Sequence, residues 1–485
     1  MTMIKNNTDK NEERKITPRH EDYSAWYLDI IAAADLAENG PVRGTMIIKP
    51  YGYALWERIQ SILDMRFKKI GVKNAYFPLF IPEKFLKKEV QHVEGFAPEV
   101  AVVTHAGGKE LEEPIVVRPT SETIIYDAFS NWIQSYRDLP LLINQWVNVV
   151  RWEMRPRLFL RTTEFLWQEG HTAHAMPEEA DSFARDMLEV YRDFAENIMA
   201  IAVVPGMKSE SEKFAGAYKT YTIEAMMQDG KALQFSTSHN LGENFAKVFD
   251  VMFLDEKGER KYASQTSWGL STRTIGGLIM SHSDDKGLIL PPRIAPIQAV
   301  ITTIGHGADV GRVTDAAREI ARRLNDAGIR CELDIRELRP GEKFYEWEKK
   351  GVPVRIELGP KDITSDSAIL ARRDTGAKQT VFLTSLPEAI TTLLDTIQSD
   401  LFARSKERLT MHTKNVDSWE DFVRAINDGN FVLTHWCGDA EVEKQIKEET
   451  GATIRCIPFD QPKEAGVCVK SGRPSDKRVL FAKSY

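Results

Sequence analysis

The sequence predicts an α+β domain built on an antiparallel sheet flanked by helices, then an α/β domain, then a small α/β domain at the C-terminus. Three observations predict this. Helical stripes alternate with short β-rich runs over most of the first 290 residues, the pattern of an antiparallel sheet with helices packed on it. At Leu290-Pro291-Pro292 the rhythm changes to strand–helix–strand, which implies parallel pairing. The length of 485 residues exceeds one ordinary domain and suggests two to four. The expected division is a polar tail at 1–16, a first domain at 17–290, a second at 291–405 and a third at 406–485.

The elements follow in order. A helix is expected near Glu21–Ala34, with Tyr23, Trp26, Tyr27 and Ile30 on one face. Leu55, Ile59, Ile62, Leu63 and Phe67 form a stripe over Tyr51–Lys69, closed by Gly71. Asn74–Ile81 reads as one strand containing Pro78, and a proline confines a strand to an edge or an interface. Ile115–Val117, Leu141–Val150, Leu233–Ser236 and Ser267–Leu270 have strand character. Phe183, Met187, Val190, Phe194 and Ile198 mark a helix over Glu178–Ala202. In the second domain, strands are expected at Ala299–Ile304, Cys331–Ile335 and Val354–Leu358. Val313, Ala317, Ile320 and Leu324 give the intervening helix, and a connecting helix runs from Pro387 to about Leu409. The rest, from about Met411, holds three of the four cysteines.

Composition excludes several classes. The chain is 42% hydrophobic and 28% charged with a net charge of −7, so a uniformly basic nucleic-acid coat is excluded while a local RNA-binding face is not. No run of about 18 apolar residues spans a membrane, and the polar first residues lack a signal peptide's apolar stretch. Four cysteines in this length point to a reducing compartment, the cytoplasm, rather than a disulfide framework.

Four clusters carry chemistry. Arg151-Trp152-Glu153 leads through a short basic loop to Arg161-Thr162 and then Phe165-Leu166-Trp167-Gln168-Glu169-Gly170-His171. As a strand, turn and returning strand, this segment puts residues two apart on one face, and arginine grips phosphate or carboxylate through its planar fork. A solvated charged hairpin is the plainer reading, but the interleaved Trp152, Phe159, Phe165 and Trp167 argue against it. Arg118-Pro119-Thr120-Ser121-Glu122-Thr123 suits a helix N-terminus capped by Thr120 or Ser121. Gln234-Phe235-Ser236-Thr237-Ser238-His239-Asn240-Leu241-Gly242 gathers small hydroxyls and a histidine after a strand, and turn chemistry is its plainer reading. Trp268-Gly269-Leu270-Ser271-Thr272-Arg273-Thr274-Ile275-Gly276-Gly277 brackets one arginine with glycines at a strand-to-helix junction, where anions bind.

Together these clusters resemble the signature segments of a class II aminoacyl-tRNA synthetase: motif 1 in the Tyr51 helix and Pro78 strand, motif 2 from Arg151 to His171, motif 3 from Leu270 to Gly277. The Arg-Pro-Thr-Ser-Glu-Thr, Phe165–His171 and Thr-Ser-His segments resemble the prolyl-tRNA synthetases in particular, and the appended C-terminal segment resembles the archaeal/eukaryote-like type. Pro340–Glu348 and Gly351–Arg355 resemble that family's anticodon-binding domain.

The resemblance implies activation of L-proline by ATP to prolyl-adenylate and pyrophosphate, then transfer of prolyl to the 3′ end of tRNA(Pro). It implies a cytoplasmic homodimer and magnesium arriving with ATP. Arg151 would grip the α-phosphate and the proline carboxylate, and Arg273 the γ-phosphate end. Glu153 would meet adenine or orient the loop, Arg161 and Thr162 phosphate and adenine, Gln234 and Thr237 the ribose side. Thr120 and Glu122 match the acceptors of proline's secondary ammonium, and Trp167, Glu169, His171, His239 and Ser271 the wall around its ring. Lys343, Arg355 and Glu357 match the anticodon-reading face, where each is equally readable as a solvated charge. The interval from His171 to Trp268 is too short for the editing insertion of some bacterial relatives.

One segment departs from the family. Many members bind zinc near the C-terminus through two close cysteine pairs. Here Cys437 and Cys468 keep one of each, Val442 and Ser471 stand where their mates are expected, and Cys456 lies off the spacing. Structural zinc needs four N or S ligands, so none is expected. The ending Phe481–Tyr485 resembles the family's, making Tyr485 an orienting group. Two rival readings remain: a class II synthetase for threonine or serine, disfavoured by the match of Thr120 and Glu122, and a non-catalytic paralogue, disfavoured by the presence of both Arg151 and Arg273.

Overall fold

The structure, a computed structural model, describes residues 15–85, 100–305 and 309–485. The tail expected at 1–16 therefore lies almost wholly outside the described residues. The chain divides into two compact units: one takes the N-terminal residues to Glu38, Ile48–Tyr53 and His282–Leu394; the other takes Asn39–Ile47, Ala54–Ser281 and Asp395–Tyr485. No helix among the described residues is long and apolar enough to cross a membrane.

The second unit is organised by one sheet. Its strands, in chain order, are β1 (Lys73–Asn74), β2 (Leu141–Val150), β3 (Glu164–His174), β4 (Val203–Met207), β5 (Lys219–Met226), β6 (Ala232–Gly242), β7 (Ser264–Ser271), β8 (Thr413–Asn415), β9 (Phe431–His435), β10 (Thr453–Pro458) and β11 (Arg478–Ala482). They lie side by side in the order β8-β9-β11-β10-β4-β5-β6-β7-β3-β2-β1. Pairing is antiparallel except at the two ends, where β1 runs parallel to β2 and β8 to β9. The strands of the small C-terminal α/β domain also extend the central sheet, because Ile457 and Pro458 of β10 pair with Met207 and Gly206 of β4.

Glu224 of β5 fastens this junction from within. It is fully buried between Lys208, 2.7 Å away, and Arg455 of β10, whose Nε and Nη2 donate to Oε2 at 3.0 and 2.9 Å. Burial disfavours the charged carboxylate, but the two cations outweigh that desolvation and hold its pKa below the usual range.

Helices α1 (Glu122–Trp132), α2 (Pro177–Asp193) and α3 (Arg273–His282) flank the sheet. Helix α2 starts on a proline at N1 with Glu178 and Glu179 in its first turn, both favourable there. Sequence periodicity carries this helix on to Ala202; the structure ends it at Asp193 and follows it with one π turn, Phe194–Ile198. The buried face is also rotated, running through Ala180, Ala184, Met187, Leu188 and Tyr191. Small alanines let the helix sit close to the strands, and large-residue periodicity does not detect them.

The single strand expected over Asn74–Ile81 is two: β1, and Phe80–Pro82, which pairs in a different three-stranded sheet. Pro78 falls in the gap. Its missing N–H breaks the ladder, and the backbone of Phe77 turns to side chains, its N–H to Gln145 and its carbonyl to Arg118.

In the first unit, helix Tyr23–Ala33 is capped by the Asp22 carboxylate and buries Trp26, Tyr27 and Ile30 as expected. A five-stranded sheet follows in the order Cys331–Asp334, Ala299–Thr303, Val354–Leu358, Ser367–Arg372, Lys378–Phe382. The first three strands are parallel, as the strand–helix–strand rhythm requires. The last two add antiparallel strands that alternation did not reveal.

Candidate active site

Strands β6, β7, β3 and β2 form the platform of the site, and their register sets its rows. Gln145, Glu169, Gly269 and Thr237 stand opposite one another across four strands. The adjacent row joins His171, Ser267 and His239. Trp167, Glu169 and His171 share one face because side chains alternate along a strand. Gly269 contributes no side chain to the platform, which leaves space at its centre. The opposite face is filled: Trp268 is 1% exposed and lies flat over Gly170, where an added Cβ would come within 2.0 Å of its ring.

Above the platform lies a cavity of about 250 Å3. It brings together Thr120, Glu122, Arg151, Trp167, Glu169, His171, Gln234, Thr237, His239, Ser271 and Arg273 from segments far apart in sequence. Trp167 and Ser267 line it, and Trp167 Nε1 and the Ser267 hydroxyl are buried without a hydrogen-bond partner among the described residues. Buried polar atoms rarely go unsatisfied in a native protein, so such a set marks a polar ligand's place.

Arg151 follows β2, and its backbone N–H is taken by Thr163 O. Its guanidinium lies over the rings of Phe165 and Trp167, 5.6 and 5.3 Å from their centroids, and Nε donates to Pro119 O. Burial lowers its pKa, opposed by the charges of Glu122 and Glu169. The Thr120–Ser121–Glu122 segment does not cap its helix through side chains, as sequence suggested. Ser121 occupies the N-cap position of α1 with no capping bond; its hydroxyl donates to Glu169, and Thr120 donates to Glu122. The hydroxyls are bonded to carboxylates instead of to the helix N-terminus.

The Gln234–Gly242 cluster is likewise strand rather than turn. His239 sits between the Thr220 and Thr237 hydroxyls, 3.0 Å from each. Burial and the neighbouring His171 push its pKa down to about 3, so its imidazole is neutral near pH 7. Phe214 packs on the His239 ring at 4.8 Å. With Glu212 and Lys213 it belongs to a wall segment that sequence reading missed. That segment joins β4 to β5 without periodicity, and its charges, Lys208, Glu210, Glu212 and Lys213, have the sequence character of a solvated loop.

Arg273 opens α3 at the far side. Its Nε donates to Leu160 O at 3.1 Å, and burial, with Arg161 and Arg151 nearby, lowers its pKa to about 10. Three guanidiniums converging on one region favour a polyanion. Glu153, Arg161 and Thr162 lie outside the cavity lining. The 151–163 loop folds on itself through reciprocal backbone bonds between Arg157 and Arg161. Within it Arg161 faces Glu153 at 3.6 Å, and Thr162 donates to Glu164 O. Tyr485 is joined to the start of β6 by its N–H to Ala232 O, and its ring lies beneath Arg157.

The cysteines do not suit zinc. Cys437 Sγ accepts from Arg473 Nη2 at 3.1 Å and Ser471 Oγ at 3.4 Å, and Arg473 is paired with Asp439. Burial raises the Cys468 pKa, but donors from Ser471, Lys470 and Cys437 outweigh it and hold the thiol below its usual range. Val442 is part of the apolar core there. Cys456 is wholly buried elsewhere. Two thiols with a guanidinium against one of them fall short of a four-ligand set, and no group of three or more metal-ligating side chains occurs among the described residues.

In the other unit, Arg355 stacks over Phe344 at 4.1 Å and pairs with Glu357 at 2.8 Å. Lys343 is not a solvated charge. It is 2% exposed, its ammonium donates to the carbonyls of Thr303 and Asp334, and burial lowers its pKa.

Comparison with known proteins supplies the family. Residues 103–282 match the model described as the tRNA synthetase class II core domain (G, H, P, S and T). Residues 298–393 match an anticodon binding domain, and 419–485 the model described as prolyl-tRNA synthetase, C-terminal. Proteins called proline–tRNA ligase are similar along almost their whole length. That of Porphyromonas gingivalis is 55% identical over 490 residues, covering 98% of this chain and 99% of the relative. Those of Chloroherpeton thalassium and Prosthecochloris aestuarii are each 56% identical, over 480 and 483 residues, covering 97% of this chain and 99% of the relative.

Proposed function

The chain belongs to the prolyl-tRNA synthetase family, and from that premise we propose a role for each side chain of the cavity. The reaction is proline–tRNA ligation: proline's carboxylate attacks the α-phosphate of ATP, pyrophosphate leaves, and a ribose hydroxyl at the tRNA 3′ end takes the prolyl group. The observation that carries the assignment is the convergence of Arg151 and Arg273 on one small cavity with Thr120 and Glu122.

Two anions must approach each other in the first step, so the protein's work is placement and charge neutralisation. Arg151, held over two aromatic rings and by Pro119 O, bridges the proline carboxylate and the α-phosphate. Arg273 takes the γ-phosphate end, Gln234 and Thr237 the ribose side. Glu153, Arg161 and Thr162 act through the folded 151–163 loop, which meets adenine and phosphate when ATP arrives. Magnesium enters with the triphosphate rather than in a protein cage, as is usual for triphosphate chemistry.

Thr120 and Glu122 accept the two N–H donors of proline's ammonium. Trp167, Glu169, His171, His239 and Ser271 enclose the ring, and a neutral His239 avoids placing a second cation beside it. Arg355 and Glu357 read the anticodon, with Lys343 supporting that face from beneath. The functional division is 17–290 for catalysis, 291–405 for the anticodon and 406–485 for a zinc-free C-terminal part, in a cytoplasmic homodimer without an editing insertion.

Proline-dependent exchange of labelled pyrophosphate into ATP tests the assignment. Arg151→Ala is expected to lower exchange by at least about 100-fold, the scale of losing a donor that stabilises developing charge. Exchange with another amino acid in place of proline overturns the substrate, and unaltered exchange in the variant overturns the role of Arg151.

A further inference from the structure

Behind the cavity wall, a line of buried groups fixes the orientation of two of its side chains without reaching the cavity. Gln145 is 1% exposed and stands opposite Glu169 on the neighbouring strand. Its Nε2 donates to Glu169 Oε1 at 2.7 Å and to Ser121 Oγ at 3.0 Å, and Ser121 donates to the same carboxylate oxygen. Its Oε1 accepts the Phe77 N–H at 3.1 Å. That last bond settles the amide's orientation, since a flipped amide would point a donor at the Phe77 N–H and an oxygen at a carboxylate. On the other side, His171 Nε2 lies 3.0 Å from Glu169 Oε2, and Tyr126 OH lies 3.0 Å from His171 Nδ1. With Tyr126 donating, Nδ1 is the acceptor and the imidazole proton sits on Nε2, aimed at Glu169. Both oxygens of Glu169 and both nitrogens of His171 are thereby committed to the protein. Neither Gln145 nor Tyr126 lines the cavity.

We infer that Gln145 and Tyr126 are positioning residues that set the amino-acid selectivity of the site, by locking Glu169 and His171 into a wall of fixed shape. The inference rests on the reading of this cavity as the proline pocket. A pocket that distinguishes its ligand by fit gains only a modest factor per missing methylene, so any freedom in the wall lowers selectivity directly. A carboxylate released on one side turns toward the cavity and competes for the substrate ammonium. An imidazole released by Tyr126 rotates or changes tautomer.

Gln145→Met keeps the volume and removes the amide. Tyr126→Phe removes one hydroxyl and keeps the ring in its apolar cluster with Phe129, Phe245 and Phe249. Glu169→Gln, a change in the cavity wall itself, serves as reference. Each variant is first shown to melt cooperatively, and then KM for proline, KM for ATP and kcat are measured by pyrophosphate exchange, along with kcat/KM for alanine. The expected result in Gln145→Met and Tyr126→Phe is a rise of about tenfold in KM for proline, the scale of one lost buried hydrogen bond. KM for ATP should be unchanged, and the proline-to-alanine ratio of kcat/KM should fall. A general loosening of the fold would lower the active fraction and leave both KM values in place. If Glu169→Gln raises KM for proline and the two inner variants leave it within twofold, the positioning role is overturned. If Glu169→Gln also leaves it unchanged, the pocket reading is overturned with it.

Discussion

Replacing Glu224 with glutamine should destabilise the second unit by about 3–5 kcal/mol, the range for breaking a buried ion pair on one side. The carboxylate serves two cations at once. Lys208 reaches Oε1, which also accepts from Thr222, and Arg455 reaches Oε2 through two nitrogens. Lys208 and Arg455 are 4% and 6% exposed, so neither can turn to water when the charge is lost. The amide keeps the shape and offers one acceptor where two charged contacts stood. At about 2–4 °C per kcal/mol for a domain of a few hundred residues, the unfolding transition should fall by roughly 10 °C. Urea unfolding followed by tryptophan fluorescence measures the difference directly. The effect also has a pH signature. The folded pKa of Glu224 is depressed, so its stabilisation is fully present above the unfolded value of about 4.3. It is lost as pH falls through the folded value, so the gap between wild type and variant should narrow only in acid. A loss under about 1 kcal/mol at pH 7 would refute the reasoning, since that is the worth of a solvent-screened pair.

Further outcomes are expected. Gly170→Ala forces a methyl into the Trp268 ring and should cost about 1–3 kcal/mol of stability by overpacking, with an altered tryptophan emission; an unchanged melt would mean the strands move apart freely. Between pH 6.5 and the His239 value of about 3, the unfolded chain binds a proton that the native chain refuses. Stability should therefore drop on acidification by up to about 1.4 kcal/mol per pH unit from this residue, and His239→Gln should show a shallower slope; equal slopes would place the histidine in water. Treatment with a strong chelator, followed by return to magnesium, should leave melting temperature and exchange unaltered; recovered zinc together with a lowered melt would overturn the metal-free reading.

Much of the site was legible because its chemistry is local in sequence. Trp167, Glu169 and His171 fall on one strand whose alternation fixes a common face, Arg151 follows directly on the neighbouring strand, and Arg273 sits at a junction marked by glycines. What was illegible depends on distant partners. Ser121 has the residue type of an N-cap, yet its hydroxyl donates to the Glu169 carboxylate and accepts from Gln145 Nε2 in place of a helix N–H. Lys343 has the sequence character of a surface charge, and only the neighbouring strands supply the carbonyls that bury it. Phe214 comes from a segment without periodicity, so nothing local distinguishes it from loop. In the fold, local pattern located the elements but not the pairing of β10 with β4, which joins residues some 250 positions apart through backbone groups that every residue carries.

That pairing bears on how the protein fails. Remove the chain beyond the helix Leu386–Met411, and the backbone groups of Pro205–Met207 lose their neighbour while Lys208 and Glu224 lose Arg455. An uncovered strand edge is a template for strands of other molecules. A truncated chain should therefore leave solution as aggregate, whatever catalytic groups it retains. The C-terminal strands thus act as a lid against self-association, a duty separate from any contact they make with substrate.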